Sequence, residues 1–146
     1  MITLVKSDQL APASGATESV EVDLGLGIDE AAKILGIYLE ASQIKEAVGG
    51  FVQACYSFDP EDTVVAPADD EQFAFVGIRQ GFLTQGLSVL TGREFFDFSS
   101  MNLITTRNLR MLCTCFAEAA EAKGRVYYEK YKPAQMELVQ LIAQRR

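Results

Sequence analysis

RNLRMLCTCFAEAAEAKGRVYYEKY, residues 107–131, decides how the rest of the chain reads. Its first part alternates. Leu109, Met111, Cys113 and Cys115 fall on one side of an extended chain, and Arg110, Leu112, Thr114 and Phe116 on the other, because successive strand side chains point to opposite faces. Both sides are largely apolar. One apolar face covers a core; two mark a central strand covered on both sides, by its own chain or by a neighbour's. A small-residue connection, AEAAEAK (117–123), leads to a second long strand, GRVYYEKY (124–131).

The flanking sequence is built from shorter pieces of the same kind. ITLVK (2–6) reads as a short edge strand, and SDQLAPASGATE (7–18), with Pro12 and Gly15, as a flexible arm. SVEVDLGLGI (19–28) sets Val20, Val22, Leu24, Leu26 and Ile28 against Glu21 and Asp23, the pattern of a half-buried strand. Asp29 is placed to cap one helical turn over DEAAKI (29–34). ILGIYLEAS (34–42) reads as a strand with Leu35, Ile37 and Leu39 on one face. Gly49-Gly50 marks a turn, FVQACYSF (51–58) a strand, Asp59-Pro60-Glu61-Asp62 another turn, and TVVAP (63–67) a short extended piece.

ADDEQFAFVGI (68–78) reads as the start of a helix capped by Asp69 or Asp70, with acids in its first turn. LSVL (87–90), EFFDFS (94–99) and MNLIT (101–105) read as separate short strands, divided at Thr91-Gly92-Arg93 and Ser99-Ser100. Pro133 opens a terminal helix with Leu138, Leu141 and Ile142 as an apolar stripe, widened by Met136 and Val139. Arg145 and Arg146 would sit at the negative end of its dipole. The predicted fold is mainly β: an antiparallel sandwich with one or two short helices, including a C-terminal one. The expected organisation is an N-terminal segment and arm over 1–17 and a sandwich domain over 18–146.

Composition narrows the function. The 146 residues suit one domain with a real core. Residues 1–122 hold 7 basic and 18 acidic groups, whereas residues 123–146 hold 6 basic and 2 acidic. The acidic body argues against general nucleic-acid binding, which needs clustered Lys and Arg, so any such contact falls to the basic C-terminal region. That basic group, including Arg145 and Arg146, is either a solvated end or a contact surface. MITLV meets Lys6 too soon for a signal peptide, and no run approaches the ~18 apolar residues of a membrane span.

Chemistry is sparse. There are no histidines, so Ser–His–Asp and Cys–His mechanisms have no base. Cys55, Cys113 and Cys115 are one ligand short of a zinc site and read as buried thiols. Asp59, Glu61, Asp62, Asp69, Asp70 and Glu71 lack the spacing of a calcium loop and read as a solvated acidic surface. LGLGID lacks the third glycine of a nucleotide loop. No cofactor, metal or catalytic residue is assigned. Tyr127, Tyr128 and Tyr131 read as packing or interface residues rather than a ligand platform.

The segments MNLITTRNLRMLCTCF (101–116) and GRVYYEKYKPAQMELVQLI (124–142) give two long late strands, a tyrosine-rich ending and a terminal helix. This pattern resembles small viral or phage coat proteins of the jelly-roll type. The resemblance implies a self-assembling shell subunit in a virion, with itself and other structural subunits as partners. Many such proteins carry a basic N-terminal arm; here Lys6 is the only cation before Lys33. The interface candidates are Leu109, Met111, Leu112, Phe116, Tyr127, Tyr128, Tyr131, Arg145 and Arg146. The alternatives are a non-catalytic cytoplasmic sandwich module that binds a small ligand or carbohydrate, and, last, an enzyme using carboxylates.

Overall fold

A computed structural model describes residues 2–45, 50–79 and 88–144. Among them are nine strands: β1 (Leu4–Leu10), β2 (Thr17–Val22), β3 (Ala31–Lys45), β4 (Phe51–Ser57), β5 (Gln72–Arg79), β6 (Ser88–Asp97), β7 (Leu103–Thr105), β8 (Leu109–Phe116) and β9 (Ala120–Tyr131). One helix follows, α1 (Gln135–Gln144).

The strands form two antiparallel sheets. The first runs β1-β9-β3-β6, with β7 also paired to β3, and the second runs β2-β8-β4-β5. The ladder β1 with β9, β2 with β8, β3 with β6 and β7, and β4 with β5 is that of one long hairpin. Rolling that hairpin over itself adds the pairs β3 with β9 and β4 with β8. The result is the double-sheet winding of a jelly roll.

The core lies between the sheets. From the first come Leu10, Ile34, Ile37, Leu39, Ala41, Ala122, Val126 and Tyr128; from the second, Val22, Val52, Ala54, Tyr56, Leu109, Met111, Cys113 and Cys115. Gln43 is the buried polar residue at one end of this core. Its amide nitrogen donates to the carbonyls of Phe51, Phe116 and Glu118, tying β3 to the start of β4 and the end of β8. Buried polar groups persist where they are hydrogen-bonded in this way.

Several expectations change. Ser7–Leu10 is not arm but the second half of β1, paired with Gly124, Lys123 and Ala122 among others on β9. DEAAKI forms no helix, because Ala31–Ile34 pairs with both β7 and β9 and ladder bonds override the capping residue. Leu35 is not on the core face with Ile37. A bulge between Ile34 and Gly36 switches the alternation, so Ala32 and Ile34 face inward before it and Ile37 and Leu39 after it. ADDEQFAFVGI is not helical either. Asp69 caps only a turn, accepting from the Glu71 amide at 2.9 Å, and β5 begins at Gln72. TVVAP forms no strand but lies within the loop 59–71. EFFDFS and the end of LSVL are one strand, continuous through Gly92. The connection after β8 is only 117–119, and Ala120–Lys123 belongs to β9. Ile28, expected to be buried, is 99% exposed. Gly49 and Leu87 lie outside the described residues.

Strand β8 is central, as read, but its outer face is only part-covered. Leu112 is fully buried there beside Cys55, while Phe116 is 56% exposed. Leu112 is buried within the single chain, and beside it Cys55 Sγ lies 3.6 Å from Oε1 of Gln72, the side chain that holds the loop 59–71. Replacing Leu112 by Asp would strand a carboxylate under that loop and should cost about 3 kcal/mol or more. Phe116→Asp, on the same face but open to water, should cost about 1 kcal/mol. Denaturant unfolding of both variants checks this; equal losses would contradict the assigned cover.

Candidate functional site

The outer faces of the two sheets differ. On the second sheet, Gln72 anchors the loop 59–71. Its amide nitrogen donates to Asp62 Oδ2 at 2.9 Å and to the Val64 carbonyl, and its oxygen accepts from the Ala66 amide at 2.8 Å. Ser57 Oγ donates to the same Asp62 oxygen at 2.9 Å, and Arg110 beneath reaches the Pro60 carbonyl at 3.2 Å and Ser19 Oγ at 2.9 Å. The loop is held against the sheet and carries six carboxylates: Asp59, Glu61, Asp62, Asp69, Asp70 and Glu71. Glu71 lies 4.0 Å from Arg107. Among the described residues no three His, Cys, Asp or Glu side chains come together as a metal-holding group.

Among the described residues, no such cover lies over the middle of the first sheet's outer face. Val5 on β1 stands opposite Tyr127 on β9, and Tyr127 stands opposite Gly36 on β3. The Phe95 ring from β6 lies on Gly36, where a β-carbon would collide with it, and meets Tyr127 edge-on at 5.9 Å. A band of Val5, Tyr127 and Phe95 thus crosses all four strands, with Val5 and Phe95 more than half exposed.

Beside this band the Arg125 guanidinium lies 5.7 Å from the centre of the Tyr38 ring, and the Tyr38 hydroxyl donates to Glu40 Oε2 at 2.6 Å. Ser7, Gln9, Tyr38, Glu40, Lys123 and Arg125 line a shallow cleft of about 290 Å³.

The residues named from sequence scatter. Leu109 and Met111 lie in the core and Leu112 under the loop, so their apolar surface is spent inside the subunit. Tyr128 is buried, its hydroxyl donating to the Leu24 carbonyl at 2.9 Å. Tyr131 is half-buried and donates to Glu137 on α1. Phe116 stacks on Phe51 at 6.0 Å at the open end of the second sheet. Tyr127 alone joins the band. Arg145 and Arg146 lie outside the described residues. Of the C-terminal cations, Lys132 pairs with Asp29 at 3.5 Å and Lys130 donates to the Gly25 carbonyl at 3.2 Å, while Lys123 and Arg125 face outward. Sequence reading missed Phe95 and Val5, whose outward alternation becomes visible only once the register of β6 and β1 is known.

Helix α1 keeps its apolar stripe largely in water. Met136 is 79% and Val139 62% exposed, while Leu138 and Leu141 are half-buried. Among the described residues no helix is long and apolar enough to cross a membrane.

Cys55 and Cys113 are held as neutral thiols. Burial pushes Cys55 and Cys113 up to about 12, with Asp62 adding to the shift at Cys55 and Cys115 to that at Cys113. Cys115 Sγ lies 3.1 Å from the Ala13 carbonyl.

No protein-family model matches the chain, and no curated protein matches it in sequence. Solved structures do resemble it. An infectious bursal disease virus particle with T13 architecture has a chain 9% identical with a TM-score of 0.37, covering 89% of this chain and 36% of its own. The VP2 subviral particle of that virus gives 10% identity and 0.36, over 86% and 37%. A Bacillus endospore appendage, described as a disulfide-linked pilus, gives 12% and 0.31, over 92% and 93%. The chain therefore bears a weak structural resemblance to viral coat proteins and spans little more than a third of the viral chains it matches.

One titrating group lies at the seam between the sheets. Asp8 on β1 stands opposite Gly124, over which the Tyr56 hydroxyl rests, and neither Asp8 Oδ2 nor that hydroxyl has a hydrogen-bond partner. Burial raises Asp8 above the ordinary carboxylate range, with Lys6 at 3.8 Å opposing the shift. A carboxyl whose folded pKa is raised favours folding when protonated. Its contribution is fully present below the unfolded value of about 3.9 and is lost as pH rises through the folded value. Unfolding free energies of wild type and Asp8→Asn, measured from pH 3 to 8, should diverge in favour of the variant as pH rises. Parallel curves would contradict the assignment.

Proposed function

We propose that this chain is a non-catalytic structural subunit that assembles with copies of itself, of the viral or phage coat kind. The observation that carries the reading is apolar surface that no described residue covers. The Val5–Tyr127–Phe95 band and the outward side of α1 both leave apolar side chains in water, and contiguous exposed apolar surface marks interaction sites. The winding supports it by analogy, since jelly rolls build capsid domains; they also build lectins, so fold alone does not decide. Phe116 and Tyr127 remain interface candidates from the sequence, and a virion is the location this reading implies.

The second reading is a binding module for a small ligand or carbohydrate. It is favoured by the cleft beside Tyr38 and Arg125, where hydrogen-bonding side chains flank an aromatic ring. A nucleic-acid contact, if made, falls to the outward Lys123 and Arg125 and the C-terminal arginines.

Particle mass in solution separates the readings. Light scattering and analytical ultracentrifugation across protein concentration should show growth beyond the 16.0 kDa monomer into large, defined particles. Sulfate should preserve or strengthen the apolar contribution. A monomer at every concentration, in low salt and in sulfate, would contradict assembly and leave the binding module.

A further inference from the structure

The two outer faces differ in charge: on the first sheet cations are interspersed with carboxylates, Glu121 standing on the outward side of β9 with Lys123 and Arg125, whereas the loop on the second sheet is strongly acidic. On the first sheet, Arg93, Lys123 and Arg125 are exposed around Glu40, whose Oε2 is occupied by the Tyr38 hydroxyl. Register places these groups side by side: Lys123 is opposite Glu40, Glu40 opposite Arg93, and Arg125 opposite Tyr38. The apolar band of Val5, Tyr127 and Phe95 runs along one side of the patch.

On the second sheet, the loop 59–71 carries six carboxylates, with two guanidinium groups beside it among the described residues. Arg110 lies beneath the loop, bound to Pro60 and Ser19, and Arg107 lies beside Glu71. Glu61 and Asp70 are exposed, and so is Val64, an apolar side chain on the same loop. The hydrogen bonds of Gln72 and Ser57 hold the loop in place, so little ordering cost remains on association.

We propose that the loop 59–71 of one copy docks on the Arg93–Lys123–Arg125 patch and aromatic band of a second copy, a head-to-tail contact between unlike faces. This rests on the assembly reading above and names its surface. Within one subunit the loop and the patch lie on opposite sides of the sandwich and cannot meet. A two-fold contact of patch on patch brings Arg93, Lys123 and Arg125 against their own copies, and loop on loop brings carboxylates together. Like charges facing one another disfavour both symmetric arrangements. Loop on patch matches charge to charge and Val64 to the apolar band. A contact between unlike faces closes into a ring or continues as an open array, depending on the rotation it imposes.

Charge reversal tests it. One variant carries Arg93→Glu and Arg125→Glu; the other carries Glu61→Lys and Asp70→Lys. All four side chains are exposed, and circular dichroism with thermal unfolding verifies that both variants fold. Each variant alone should self-associate about tenfold more weakly or worse than wild type. An equimolar mixture should recover association, because each reversed face then meets its complement. Raising sodium chloride from 0.1 to 1 M, where the Debye length falls from about 10 to about 3 Å, should weaken wild type and the mixture alike. If wild type associates and the variants do so equally well, or if the mixture fails to recover, this contact is overturned while assembly stands. A monomeric wild type overturns both.

Discussion

The hydroxyl of Tyr56 rests on the bare backbone of Gly124, and the spacing of the two sheets follows from that contact. Tyr56 comes from β4 in the second sheet and is fully buried; Gly124 lies in β9, the strand held between β1 and β3 in the first. A β-carbon at 124 would overlap the hydroxyl and come within 3.3 Å of Met111 Cε. Face-to-face sheets pack about 10 Å apart, so a large side chain from one needs a small one opposite. The inward positions of β9 run Ala120, Ala122, Gly124, Val126, Tyr128. The smallest residue stands where Tyr56 and Met111 cross the gap. Asp8 sits opposite Gly124 on the neighbouring strand, so the same contact brings its carboxylate to the seam.

The parts legible in sequence were those with strict alternation and no bulge. β4 and β8 were read close to their observed limits, β9 was begun four residues late, and the terminal helix was read from its opening proline and apolar stripe. The alternation of β8 was read correctly, but Leu109 and Met111, expected at an interface, lie on its core face. What failed was decided by partners distant in sequence. Asp29 and Asp69 have good capping chemistry, yet the segments after them are claimed by ladder bonds to β9 and β4. Leu35 was misplaced because a bulge cannot be seen in an apolar pattern. Leu112 looked like an interface residue because an apolar side chain on a second face has two physical explanations. The choice between a neighbour and a folded-back loop depends on Gln72, whose role as an anchor leaves no mark in composition. The outer band was invisible for a related reason: Val5, Tyr127 and Phe95 come from three strands, and only the register aligns them.

Interior and exterior divide the labour. Inside, the thiols are buried, the polar side chain of Gln43 is satisfied by the carbonyls of Phe51, Phe116 and Glu118, and apolar residues from both sheets fill the space. Outside, an acidic loop covers part of one face, and among the described residues nothing covers the aromatic band and the cations on the other. Helix α1 adds a second exposed apolar surface. That exposed apolar surface is the observation on which the proposed association rests.

The most direct test of the seam is the unfolding free energy of Gly124→Ala, measured in denaturant alone and combined with Tyr56→Phe. A single methyl group here has nowhere to go, so the account predicts a loss of about 1–3 kcal/mol. Removing the hydroxyl it strikes should return part of that loss, giving the pair a non-additive coupling. Wild-type stability for Gly124→Ala, or simple additivity in the double variant, would contradict a packing of the two sheets set by Tyr56 on Gly124.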